Sequence, residues 1–284
     1  MDERLLPSLP GPPVPRARVY GAAGTWLTVL HGGPGAPGHL APVARALADR
    51  FRILEPFERH SGQVELSVAL HVGDVADAIR RHAAMEATAL LGFSSGAITA
   101  LACAAAYPAQ VTGVVLVGSA TMDAASREEF RANLAARSSD VARHELQRAT
   151  SIADGNARLR LQRAATLAAY FVDPIGTDTE EVWLDGPGHD ETWRDMLRLQ
   201  ESGRHPAAFA AIRVPVLMIH GAEDPHPGRS IRASLARYIP HVEYCELQRC
   251  GHYPWLERAA RAEFLMTLRG WLTAPRDRFR TGSS

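Results

Sequence analysis

From Ala87 to Met122, 36 consecutive residues contain no Asp, Glu, Lys or Arg. Gly92, Gly96, Pro108 and Gly113 punctuate this run, which is incompatible with a membrane helix. It divides into an apolar stretch (Ala87–Phe93), an Ala-rich helical stretch (Ser95–Tyr107) and a second apolar stretch (Val111–Val117). Strands written as continuous Val/Leu runs are covered on both faces, as in parallel sheets. The run therefore predicts a βαβ unit at the centre of a doubly covered sheet.

The same punctuation recurs on either side. Strands are expected at Thr25–Leu30, Phe51–Glu55, Val214–His220 and Val242–Leu247, and helices over His39–Asp49, Ser67–Ala84, Arg229–Tyr238 and Pro254–Leu272. Alternating strands and helices predict an α/β fold with a mostly parallel sheet. Between Asp123 and Ala211 the rhythm stops. That interval is charged, has helical spacing (Phe130, Leu134; Leu159, Arg163, Leu167), and reads as a helical cap with a loop from Asp173 to Gly188. The expected organisation is an extended N-terminal arm (1–20), a core (21–122 and 212–274), a helical cap (123–211) and a polar tail (275–284).

Composition removes several chemistries. The 31 cations balance the 31 anions, leaving no basic footprint for nucleic acid or an anionic membrane. Every one of those cations is Arg, so Schiff-base and P-loop lysine chemistry is excluded. Three cysteines, Cys103, Cys245 and Cys250, make neither a disulfide framework nor a zinc motif. The chain starts without a basic and apolar leader, and a cytoplasmic, non-membrane protein is expected.

Apolar stretch Ala87–Phe93 runs into Gly92-Phe93-Ser94-Ser95-Gly96, a G-x-S-x-G placed between a buried strand and a buried helix. There a nucleophile elbow projects a strained serine from a tight turn. A serine hydroxyl needs an adjacent base, and on this architecture the order is Ser, acid, His, each beyond a later strand. Asp224 follows strand Val214–His220 and His252 follows strand Val242–Leu247. Glu223 is the rival acid, and Asp224 is preferred for its shorter side chain beside Pro225. Oxyanion donors are expected at the N–H of Ser95 and, from the glycine turn His31–Gly35, the N–H of Gly33.

These residues resemble the α/β-hydrolases, particularly the branch of proline iminopeptidases and related esterases. The carrying motifs are HGGPG (His31–Gly35), GFSSG (Gly92–Gly96), HGAEDP (His220–Pro225) and GHYPWLE (Gly251–Glu257), in family order over about 230 residues. The resemblance implies Ser94 as nucleophile, Asp224 as acid, His252 as base, Gly33 and Ser95 as oxyanion donors, and no cofactor. Haloalkane dehalogenases and epoxide hydrolases carry an aspartate where Ser94 stands. The chain departs from the iminopeptidase pattern at the elbow and in the loop Glu55–Gly62, which keeps only an Arg and a Ser. An ester is therefore the expected substrate.

Specificity is assigned to the cap, with Trp183, Trp193 and Tyr170, and Phe93 of the elbow, as candidate substrate-binding residues. Packing of a helical lid is the other reading of such aromatics. Glu180, Glu181, Asp185, Glu191 and Asp195 are read as solvated, although an iminopeptidase would need one of them, or Glu58, for a substrate amine. His189 and His226 are read as surface histidines without a metal. Two alternative classes stay open: an iminopeptidase-like aminopeptidase, which would turn over prolyl anilides, and a non-catalytic binding protein, which would ignore an active-serine probe. The only partner expected is a small ester or amide, and oligomeric state is undetermined.

Overall fold

The computed structural model describes residues 3–6, 16–83, 86–177, 180 and 182–274. Its centre is an eight-stranded sheet: β1 (Glu3–Leu6), β2 (Ala17–Tyr20), β3 (Trp26–Leu30), β4 (Arg52–Pro56), β5 (Thr88–Phe93), β6 (Val111–Val117), β7 (Val216–Gly221) and β8 (Val242–Leu247). The spatial order is β1-β2-β4-β3-β5-β6-β7-β8. Strands β3 to β8 run parallel, while β1 and β2 add an antiparallel edge against β4.

The alternation hidden in the Val/Leu runs divides the core into two layers. Leu90, Val114, Leu116 and Met218 face α2 (Val68–His82), α3 (Gly96–Ala106) and α9 (Gly228–Ala236). Their neighbours Leu91, Val115, Val117 and Ile219 face α1 (Ala41–Leu47) and α10 (Arg261–Thr273). With both faces covered, every residue of β5 and β7 is buried. Side-chain alternation thus persists without a polar face to make it visible.

Between β6 and β7 the described chain is helical: α4 (Ala124–Arg137), α5 (Asp140–Ala149), α6 (Gly155–Thr166), α7 (Gly186–Glu201) and a single turn, α8 (Arg204–Ala207). Asp123 caps α4 in a reciprocal capping box with Ser126, and Asp185 caps α7 by accepting the Gly188 N–H at 3.0 Å. No described helix is long and apolar enough to cross a membrane.

Two expectations change. The expected arm over 1–20 contributes strands β1 and β2 to the sheet, and their four-residue length is too short to give a periodicity signal. Proline-rich residues 7–15 and the tail 275–284 lie outside the described residues. The expected helix Pro254–Leu272 is interrupted: a turn at Pro254–Leu256 ends at Glu257, whose backbone is extended (φ −92°, ψ 124°), before α10 begins. The buried Glu257 carboxylate accepts N–H groups from Val172 (2.8 Å), Asp173 (2.8 Å) and Gly251 (3.0 Å), and this arrangement outweighs helix continuity there.

Candidate active site

Ser94 stands in the turn between β5 and α3, with φ +53°. A non-glycine residue in the left-handed region costs about 1–3 kcal/mol and persists only where its surroundings impose it. Here the Ser94 N–H donates to Val117 O at 2.9 Å, and its carbonyl accepts from Ala97 and Ala120, both at 3.1 Å. The flanking glycines are required by close approach. A Cβ on Gly96 would stand 2.4 Å from both Leu30 O and His31 O, and one on Gly92 would stand 2.4 Å from Gly96 O. The elbow is wedged against the end of β3, and the half-buried Ser94 faces a cavity of about 290 Å³.

Asp224 and His252 lie beyond the ends of β7 and β8, and the structure brings them together. The His252 Nδ1–H donates to Asp224 Oδ2 at 2.7 Å, with both residues buried. The His252 N–H is anchored on Tyr170 O at 2.7 Å. His252 and Ser94 line the same cavity. Burial alone would push the Asp224 carboxyl up, but His252, His226 and His220 around it hold it well below the usual carboxylate range. Glu223, the rival acid, points elsewhere and accepts the Cys250 N–H at 2.9 Å.

His226, expected at the surface, is buried. Its Nδ1–H donates to Asp224 Oδ1 at 3.0 Å, and its ring stacks on His252 at 4.6 Å and on Phe130 at 4.2 Å. Burial pushes its pKa down to about 4. Ligand-type atoms of Asp224, His226 and His252 fall within 4.8 Å of one another, a juxtaposition that sequence spacing alone did not show. Here the two ring nitrogens are hydrogen-bonded to the carboxylate. His189, also expected at the surface, is half-buried and its Nδ1–H donates to Pro34 O at 3.0 Å.

The loop His31–Gly35 closes the cavity beside Ser94, and Gly33 takes φ +57° on its wall. Among the described residues, the N–H groups of Gly33 and Ser95 donate to no backbone acceptor. Glu58 secures the loop by accepting the Gly35 N–H at 2.8 Å. Burial would raise the Glu58 carboxyl, yet His71, His31, the Gly35 N–H and His189 bring it below its ordinary value.

Four aromatics were expected to contact substrate. Phe93 and Tyr170 line the cavity; Trp183 and Trp193 are absent from its lining. Trp183 packs on Phe57 (5.3 Å) and His60 (4.8 Å), and Trp193 packs against the core. The insertion instead presents Phe130 and Leu134 from α4 and Leu159 and Arg163 from α6, with His39 opposite. Arg163 donates to His39 Nε2 at 2.9 Å. Helical spacing had singled out the first four, but could not tell which face met the site.

The acidic residues have other partners. Glu180 pairs with Arg45; Glu191 accepts the Leu66 N–H (2.8 Å) and Asp195 the Val68 N–H (2.9 Å). Asp185 accepts the Ser61 N–H (2.6 Å) and hydroxyl (2.7 Å). Glu181 lies outside the described residues. No carboxylate is among the described residues lining the cavity.

Comparison with known proteins agrees with this architecture. The alpha/beta hydrolase fold family model matches residues 58–259, and the chain belongs to that family of hydrolases. A curated relative, the pyrrolizixenacetamide deacetylase of Xenorhabdus hominickii, is 28% identical over 266 residues, covering 88% of this chain and 91% of that protein. Among solved structures, the 2-hydroxy-6-oxo-6-phenylhexa-2,4-dienoate hydrolase of Rhodococcus sp. strain RHA1 superposes with a TM-score of 0.64 at 24% identity, over 96% of this chain and 99% of the other. The enol-lactonase of Burkholderia xenovorans LB400 superposes with a TM-score of 0.58 at 20% identity, over 91% and 96%.

Proposed function

We propose that the protein hydrolyses a carboxylic ester, or the amide of a small acyl group, through an acyl-enzyme formed on Ser94. One observation carries the reading: a serine strained into the left-handed region shares a cavity with a histidine whose Nδ1–H is fixed by a buried carboxylate. His252 Nε2 takes the Ser94 proton as Oγ attacks the acyl carbon, and the Ser95 and Gly33 N–H groups receive the developing oxyanion. His252 returns the proton to the leaving alcohol or amine. Water, activated by the same imidazole, then releases the acid and restores Ser94. Asp224 holds the imidazole in the required tautomer and stabilises its charged form.

The amide half of the proposal draws on the deacetylase relative. The cavity lining disfavours the aminopeptidase alternative, because a bound ammonium needs a carboxylate partner when removed from water and no described lining residue offers one. The helices of the insertion serve as the acyl-selecting lid. A parallel screen of acyl esters, N-acetyl amides, lactones and prolyl anilide tests this. Turnover of short acyl esters or acetamides above the anilide is expected; efficient cleavage of prolyl anilide alone would overturn it.

A further inference from the structure

We propose that His226 is a positioning residue of this site, engaging the Asp224 carboxylate and so setting how strongly that carboxylate draws a proton onto His252. The inference rests on reading Ser94, Asp224 and His252 as the triad. Asp224 is shared by three imidazoles. Its Oδ2 accepts from His252 Nδ1 (2.7 Å) and lies 3.2 Å from His220 Nε2. Its Oδ1 accepts from His226 twice, through the backbone N–H at 2.9 Å and through Nδ1 at 3.0 Å.

A carboxylate stabilises an imidazolium in proportion to the negative charge it can direct at it, and each further donor takes up part of that charge. The His226 Nδ1–H therefore weakens the hold of Asp224 on the His252 proton. The ring cannot turn away readily, because it lies between Phe130 (4.2 Å, 20°) and His252 (4.6 Å, 21°), with Tyr170 beyond (6.0 Å, 17°). The titratable and charged groups around the assembly are His220 of β7 and Asp224 beyond it, Cys250, His252 and Tyr253 from the loop after β8, Tyr244 of β8, and Tyr170 and Arg163 from the insertion. Phe130, the contact from α4, carries no charge. Burial keeps His226 neutral, so the Nδ1–H donation persists through the neutral range.

A flat ring without the donor separates this role from packing, and a donor without the ring does the converse. His226→Phe keeps the stack and loses the hydrogen bond, whereas His226→Asn places an amide N–H where Nδ1 stands. Hydrolysis of p-nitrophenyl acetate would be followed against pH for both variants and the parent, with rates expressed per active serine titrated with a fluorophosphonate. For His226→Phe the acidic limb of kcat/KM is expected to move to higher pH by about half a unit or more, an approximately threefold loss on that limb, with little change in KM. His226→Asn should keep the parental limb. A uniform loss with an unmoved limb in His226→Phe, or a limb in His226→Asn that moves as the phenyl variant's does, would overturn the proposal. If His226→Phe does not fold, His226→Leu, which likewise lacks the donor, is read on the same limb. Undiminished turnover by Ser94→Ala would instead remove the triad reading itself, so the two failures are distinguishable.

Discussion

Asp224 and Glu223 are adjacent carboxylates with different surroundings. Asp224 is buried under three histidines, while Glu223 holds the Cys250 N–H two residues before His252. Asp224→Asn offers an amide where His252 Nδ1–H needs an acceptor, favouring the wrong tautomer, and should lower kcat by up to about 10⁴-fold. Glu223→Gln keeps an oxygen for the Cys250 N–H and should cost less than about tenfold, because its charge does not face the imidazole. Steady-state kinetics on one ester compares the two directly. A larger loss at Glu223 would reverse the assignment.

At the scale of elements, Glu257 joins the loop after β8 to the insertion by accepting N–H groups from Val172, Asp173 and Gly251. Glu257→Ala leaves these groups without their acceptor and should destabilise the protein by about 2–4 kcal/mol, measured by thermal or urea unfolding. An effect under about 0.5 kcal/mol would show that water replaces the carboxylate without loss. The lid makes a second prediction. Leu159→Ala or Phe130→Leu, on the cavity wall, should shift acyl-chain preference by about 1–3 kcal/mol per methylene-sized change, whereas Trp183→Ala should leave preference nearly unchanged. Comparing kcat/KM across an ester series distinguishes them. Legibility in the sequence followed the same division. The β5–α3–β6 unit was readable because an uncharged run broken by glycines has few foldings, and the meeting of Asp224 with His252 beside the cavity of Ser94 was readable because all three follow the ends of parallel strands. Trp183 and Trp193 misled because a large aromatic side chain marks an apolar contact without identifying whether that contact is packing or the site. His226 was missed because a residue two after an acid gives no periodicity signal. Its only hint was the density of histidines around Asp224.

For the whole molecule, acid stability follows from histidines buried in the neutral form. Burial lowers the pKa of His226 to about 4, and burial is likewise the largest influence lowering His31 and His189. Below the unfolded value, about 6.5, the unfolded chain binds protons that the folded chain does not, so stability is complete above that pH and declines toward the folded values. Asp224 acts in the same direction at lower pH: its depressed folded pKa stabilises the protein above the unfolded carboxylate range, and that contribution is lost as pH falls through the folded value. Melting temperature should fall steadily from about pH 6.5 toward pH 4.5. A flat profile over that window would show these groups to be protonated in the fold. The central claim, that Ser94 is the acylated residue, is tested most directly by mass spectrometry of protein treated with a fluorophosphonate and digested. One adduct is expected, on the peptide containing Ser94, together with no labelling of Ser94→Ala and a loss of ester turnover of at least about 10³-fold in that folded variant. An adduct at another serine, or comparable turnover by Ser94→Ala, would contradict the account.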